Sequence, residues 1–389
     1  MSARACILAG LAVMCACSKD GAGAYARVVT SPRELVGGPA ASGDIGDVVL
    51  GNDAIRVIIS RRKPSQSVLP VTGVIVDAFP MRADADASEG ADQLEGILPL
   101  VMATGFDPRS EADVFVAEDG SDGGPARVRA RAHPRDLLRA LAVFGGDLTP
   151  NPDLVLETDY ILEPNARHVR VVSRLRNEGE TDALVDGSVL QRQLDLANAT
   201  RNGDVELIFG DGLVAGKRMR WFAPTAVPDG ADERAVGFDL IRAGALANER
   251  APELPALPGA LTDLLVAVGD SVSYGWSVLG GNNAVQDAAA LYGARGMPIP
   301  DRDPMVLTLS TPTGASVHHS RLPSRLAPGA EFVTTRVFVV GDGDVGAVRQ
   351  ELTRVRGEET GVLFGEVLSD PGGTPFAGAE LVVLDADQR

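Results

Sequence analysis

The sequence predicts an all-β protein: a large antiparallel β-sandwich, supersandwich-like in scale, with one helix near its C-terminal end and then an incomplete second sandwich. Three observations predict it. From Gly23 onward, short β-type runs recur between clusters of Gly, Asp, Asn and Pro. Several runs alternate, as where Ala126, Val128, Ala130 and Ala132 interleave with Arg127, Arg129 and Arg131, giving one apolar and one charged face. Helical spacing stands out in a single stretch, over Val345, Val348, Leu352 and Val355.

The first elements are hairpins. Asp47 to Leu50 and Ala54 to Ile59 flank the turn Gly51-Asn52-Asp53, and a further strand is expected over Val71 to Ala78. Val114 to Glu118 and Ala126 to Ala132 flank the Asp/Gly-rich turn Asp119 to Gly124. Leu154 to Leu162 and Arg167 to Leu175 are joined by Glu163-Pro164-Asn165-Ala166, where Pro presets φ and Asn tolerates left-handed backbone. More strands are expected at 183–190, 205–209, 264–268, 272–279, 306–311 and 332–340. The helix has Asp344 to cap it, Arg354 and Arg356 in its last turn, and Gly357 to stop it.

Composition bounds the function. With 389 residues, 45% of them hydrophobic, the chain can bury a sizeable core, but aromatics are only 4% and the net charge is −17. So acidic and aromatic-poor a chain is unsuited to phosphate backbones or stacked bases, and no nucleic-acid partner is expected. The three cysteines, Cys6, Cys15 and Cys17, all lie at the start. There, Arg4 precedes the uncharged apolar run Ala5 to Ala16, which is too short to span a bilayer and reads as an export signal.

Cys17 follows Ala16 and precedes Ser18, and this arrangement resembles the signal of bacterial lipoproteins, in which cleavage falls just before a Cys that carries the lipid; Met14 stands where that family prefers Leu. The resemblance implies a signal peptide over 1–16, lipidation of Cys17, an anchor and linker over 17–42, and a membrane-anchored protein, with the outer membrane the expected site. The alternative is plain secretion with cleavage after Ala24-Tyr25-Ala26. Lipoprotein processing leaves no free thiol, hence no internal disulfide, thiolate metal site or cysteine nucleophile.

The order of patterns over 43–357 is similar to galactose-mutarotase-like domains: the hairpin with Asn52 at its turn, the strand Gly73 to Asp77, the pair through Tyr160 and Val171, Asn177-Glu178-Gly179, and Gly341-Asp342-Gly343-Asp344 leading into the helix. Over 358–389, Gly361 to Val367, the turn Asp370 to Pro375 and Ala377 to Leu384 resemble the opening of a carboxypeptidase-regulatory-like β-sandwich that breaks off early. The whole order also resembles the front part of exported PHP-type metallohydrolases. That family's metal site needs a His-x-His pair; here the histidines are His133, His168, His318 and His319, which implies an active site outside the chain.

Candidate sites are few. Tyr274 and Trp276 alternate on one strand, hence on one face, with Asn282 and Asn283 following in a Gly-rich turn; exposed, they would suit glycan stacking and hydroxyl recognition, and otherwise they are core. Asp77, Asp84, Asp86, Glu89 and Asp92 gather after a strand, and Asp84 with Asp86 offers alternate oxygen donors of the kind Ca²⁺ takes. His318 and His319, adjacent on an extended segment, would point to opposite faces. Gly269-Asp270-Ser271 resembles the first block of GDSL-type esterases, but their closing Asp-x-x-His is absent and a turn is expected. The function expected is a cell-envelope lipoprotein whose sandwich binds a glycan or an envelope protein without catalysis. The alternatives are the accessory front part of a PHP-type hydrolase and a polysaccharide-active enzyme working through paired carboxylates.

Overall fold

The computed structural model describes residues 23–62, 71–81, 90–101, 104–106, 111–136, 153–184, 209–216, 219–223, 238–239, 264–279, 285–291, 305–310, 325–359 and 361. In chain order the strands begin with β1 (Tyr25–Val28), β2 (Val48–Gly51), β3 (Ile55–Ile59), β4 (Ile75–Pro80), β5 (Leu94–Pro99), β6 (Thr104–Phe106) and β7 (Asp113–Asp119). Next come β8 (Ala126–Ala132), β9 (Pro134–Asp136), β10 (Leu154–Leu162), β11 (His168–Asn177), β12 (Ala183–Leu184), β13 (Phe209–Gly216) and β14 (Arg220–Ala223). The last are β15 (Phe238–Asp239), β16 (Leu265–Val268), β17 (Ser273–Leu279), β18 (Val285–Leu291), β19 (Met305–Ser310), β20 (Arg325–Leu326) and β21 (Glu331–Gly341), and the helix α1 (Val345–Arg356) follows.

These strands form the expected antiparallel sandwich. One sheet has eight strands in the order β1-β2-β3-β4-β5-β13-β19-β18, and the other nine, β15-β14-β16-β17-β21-β11-β10-β8-β7. Their inner faces share one core, which includes Leu50, Val57, Ile75 and Ile97 from the first sheet and Val128, Tyr160, Val169 and Phe338 from the second. A smaller core lies on the outer face of the second sheet, where Val348 and Leu352 of α1 pack on Leu264, Val266, Val268, Val337 and Val339. The α1 caps act as predicted: Asp344 accepts from the Ala347 amide at 2.6 Å, and Gly357 closes the helix with φ +66°.

Two expected boundaries need correction. The anchor-and-linker segment 17–42 is not all linker, because Tyr25–Val28 pairs with β2 and Ala24, Ala26, Val29, Val36 and Ala40 are buried. Strand pairing with a partner over twenty residues away, invisible to local periodicity, decides this. The strand expected from Val71 begins instead at Ile75, because Gly73 turns the chain with φ +76° and donates to the Ser60 carbonyl at 2.8 Å. Of the strands expected at 183–190 and 205–209, residues 185–190 and 205–208 lie outside the described residues.

Asn52 shows how a turn residue can hold two sheets together. Its Oδ1 accepts from the Ala54 and Ile55 amides, each at 2.8 Å, closing the β2–β3 turn. Its Nδ2 donates to the carbonyls of Glu163 and Ala166, at 3.0 and 2.9 Å, in the β10–β11 turn of the opposite sheet. That second turn holds Asn165 at φ +60°, the one non-glycine with positive φ among the described residues. Asn52 is buried, so Asn52→Ala strands backbone groups on both sides. It is expected to cost about 3 kcal/mol in urea-induced unfolding, where an exposed polar substitution stays within about 0.5 kcal/mol.

Candidate functional site

Tyr274 and Trp276 do share a face of β17, and that face points inward. Trp276 pairs across to Leu265 and Phe338, and Tyr274 to Ala267 and Val340. Their exposures are 2% and 1%, and the Tyr274 and Phe338 rings stack at 5.9 Å between centroids. With Ile97, Leu265, Ala267, Gly275 and Phe338 they line an apolar cavity of about 10 Å³. That volume suits at most one water, whereas small-ligand pockets run to about 300 Å³ or more. The reading of these two side chains as an exposed glycan platform is therefore corrected to core packing. Asn282 and Asn283, and with them Asp84, Asp86, Glu89, Cys17, His318 and His319, lie outside the described residues.

Among the buried polar side chains, which also include Glu95, Asp159 and Arg336, two neighbouring carboxyls stand out. Asp77, on β4, accepts from the backbone amides of Ser42 and Gly43 at 2.7 and 2.8 Å, one with each oxygen. Asp92, just before β5, has its Oδ1 at 2.6 Å from the Tyr274 hydroxyl, with the Ala78 and Leu94 amides donating to the same oxygen at 3.1 and 3.3 Å. Its Oδ2 is buried without a hydrogen-bond partner among the described residues. The Asp92 backbone in turn donates to the Gly37 carbonyl and accepts from the Ala40 amide, so the Asp77 carboxyl and the Asp92 main chain fasten the segment 37–43 across β4 and β5.

Burial sets the protonation of this pair. Loss of water pushes Asp77 up to about 7, against the amide hydrogen bonds that favour its charge. Desolvation, then the nearby Asp77, raises Asp92 well above the usual carboxylate range. Burial and the charge of Asp92 likewise raise the Tyr274 hydroxyl. Since both Asp77 oxygens are taken by amides and both residues are fully buried, these two members of the acidic stretch serve the fold. No group of three or more His, Asp or Glu side chains is placed to hold a metal among the described residues.

The remaining polar features lie outside the core. His168 Nδ1 sits 2.6 Å from Glu351, which also accepts from the Arg167 amide at 3.0 Å and from Arg354, clasping α1 to the start of β11. Burial works against the Glu351 charge, but His168 and Arg354 outweigh it and hold the carboxyl down at about 2. His133 is exposed, its Nδ1 3.1 Å from the Leu154 carbonyl. Gly269-Asp270-Ser271 is a turn, closed by the Gly269 amide on the Val272 carbonyl at 2.8 Å.

The outer face over β7, β8, β10 and β11 is the most developed exposed surface. Asp159 is gripped by Arg129 at 2.7 and 2.9 Å and by Arg174 at 2.8 Å, and these arginines hold its carboxyl below its ordinary value although burial opposes them. Arg127 pairs with Glu118, Arg131 and Arg176 with Glu178, and Arg170 with Glu163. Phe115, opposite Arg129 on β7, and Val333, opposite Arg174 on β21, stand 42% and 45% exposed beside this lattice. The alternation of β8 announces its charged face, but the alignment with Arg170, Arg174 and Arg176 depends on strand pairing that only the folded sheet supplies.

No protein-family profile matches the sequence, and no curated protein is significantly similar to it. Solved structures with a related course of the chain include a galactose 1-epimerase from Lactobacillus acidophilus, 11% identical over 77% of this chain and 95% of that one, with a TM-score of 0.37. A galactose mutarotase-like protein from Clostridium acetobutylicum is 8% identical over 82% of this chain and 99% of that one, at 0.37. The α-galactosidase from Lactobacillus brevis is 9% identical over 79% of this chain and 41% of that one, at 0.39. What the described residues themselves establish is a two-sheet antiparallel sandwich carrying one helix.

Proposed function

We propose that this chain is a lipid-anchored protein of the bacterial cell envelope, in the outer membrane, whose sandwich serves as a non-catalytic binding module. The observation that carries the anchor is the start of the fold. Ala24 and Ala26 are buried and Tyr25–Val28 is paired with β2, so cleavage after Ala26 would cut through β1. Cleavage before Cys17 leaves β1 whole. Binding is supported by the outer face, where Phe115 and Val333 stand exposed among ordered arginine–carboxylate pairs, a mixture that fits a protein partner or a glycan. In this reading residues 358–389 open a carboxypeptidase-regulatory-like unit, as in the front part of PHP-type hydrolases.

Fractionation of cells fed labelled palmitate tests the anchor. The wild-type chain should carry label and sediment with membranes, and Cys17→Ala should lose both while the sandwich still folds. An unlabelled mature chain beginning at Arg27 would end the proposal.

A further inference from the structure

The outer faces of β7, β8, β10 and β11 carry one ordered pattern of charge. These four strands are neighbours in the second sheet, and Val114, Val128, Tyr160 and Val171 turn their inner faces into the core. Register aligns the alternate, outward side chains in rows. One row runs Asp113, Arg131, Glu157, Arg174, and the next runs Phe115, Arg129, Asp159, Val172. In a third, Glu118 lies opposite Arg127, and Ile161 lies between Arg127 and Arg170. Strand by strand, the face is therefore acidic on β7, basic on β8, acidic on β10 and basic on β11.

We propose that a second copy of this chain docks on this face, about a two-fold axis running along the strands between β8 and β10. The inference rests on the reading of the outer face as the binding surface. Such an axis sets β8 over β10, and β7 over β11, of the second copy, so the order acidic, basic, acidic, basic meets its own reverse. Arg131 then faces Glu157 of the second copy, Arg129 faces Asp159, Asp113 faces Arg174, and Phe115 falls over Val172. Centring the axis on β10 instead would set the arginines of β8 on those of β11. Strands stay aligned across the proposed axis, as in other packed sheets. Val333, opposite Arg174 on β21, lies one strand farther out and comes beside Phe115 of the second copy.

Charge favours a second copy here. A chain carrying −17 repels its own kind, but this face is close to neutral, since Arg127, Arg129, Arg131, Arg170, Arg174 and Arg176 are each paired with a carboxylate. Those pairs already hold the side chains in place, so docking gives each charge a second opposite neighbour and orders little that was free. Of the four large hydrophobic side chains exposed among the described residues, Phe115 and Val333 both stand on this side of the second sheet. Four strands by seven residues make a footprint of roughly 19 by 24 Å, about 900 Å² over both copies, the size of a weak, reversible interface. Two copies tethered to one bilayer meet at a raised effective concentration, which suits such an interface.

Sedimentation equilibrium of the mature full chain in detergent micelles tests this, whether or not Cys17 carries an acyl group. Wild type should pass reversibly from monomer to dimer, and raising salt from about 50 to about 500 mM should weaken the dimer about tenfold or more. Arg131→Glu and Glu157→Arg, each alone, set like charges together across the axis and should weaken it by about the same factor. Mixed, the two variants restore opposite charges at both contacts and should associate within about threefold of wild type. Should melting curves show either variant unfolded, bismaleimide cross-linking reads the same register: Asp113→Cys chains should join Arg174→Cys chains in preference to their own kind. A wild-type chain that stays monomeric up to about 1 mM overturns the second copy as occupant and leaves the face to a glycan or another protein. A dimer whose mixed variants associate no better than each alone overturns the axis. A dimer indifferent to both reversals and to Phe115→Ser overturns the outer face as the binding surface.

Discussion

Trp276→Ala is expected to lower the unfolding free energy by about 3–5 kcal/mol, one of the largest single-residue losses this chain can show. The side chain is 1% exposed, lies between Leu265 and Phe338 in the second sheet, and already borders a small apolar cavity that truncation would enlarge. The Arg336 guanidinium, itself buried, sits 6.0 Å from the indole centre and would lose that face. Trp276→Phe separates volume from polarity. Since Nε1 has no hydrogen-bond partner among the described residues, Phe gives up ring volume without breaking a hydrogen bond and should cost much less than Ala. Urea titrations of the three proteins check this. A Trp276→Ala protein as stable as wild type would restore the exposed, ligand-facing role for this side chain.

Stability is expected to fall as the pH rises through neutrality, the reverse of the trend for a chain whose carboxylates are salt-bridged. Asp77 and Asp92 have folded values raised above the ordinary 3.8, so their contribution is fully present below that value. It is lost as the pH climbs through about 7 for Asp77, and Asp92, raised in the same direction, adds a loss of the same sign, because each must then be ionised in the core. Glu34 and Glu351 run the other way: both are held at about 2 against an ordinary 4.5, so the stability they confer disappears only as acid takes the pH below 4.5 toward 2. Thermal melts from pH 4 to pH 9 should therefore decline toward the alkaline side.

Two isosteric variants assign that decline. Asp92→Asn keeps an oxygen for Tyr274, Ala78 and Leu94 and replaces only the unpartnered Oδ2, so it should match wild type in acid and exceed it increasingly as the pH rises. Asp77→Asn must set an amide group against the Ser42 or Gly43 N–H and should lose about 1–3 kcal/mol in acid, while also flattening the pH dependence. Parallel melting curves for wild type and Asp92→Asn across the whole range would refute the assignment to Asp92.

The loops that carry candidate chemistry were the least legible part of the sequence. Asp77 and Asp92 look, in the sequence, like members of one acidic loop available to a cation; their burial follows from the segment 37–43 and Tyr274 closing over β4 and the start of β5, which no local window reveals. Ala24-Tyr25-Ala26 has the form of a cleavage triplet, yet the two alanines are small because they pack beneath a sheet edge. β5 and β14 escaped prediction for the same reason, their partners lying more than 100 positions away for β5 against β13 and 44 to 48 for β14 against β16.

By itself the sequence determined whatever is local: the hairpins around Asn52 and Asn165, the alternating faces of β8, the all-β antiparallel class, and the capped helix from Asp344 to Gly357. Turn chemistry and side-chain period act over a few residues, and so they can be read there. Tertiary structure alone decided which side of each alternating strand faces in. Tyr274 and Trp276 share a face by sequence, but that face is interior because the first sheet, through Ile97, covers it. Hydrophobic burial is a property of the two sheets together, and no strand carries the information for it alone.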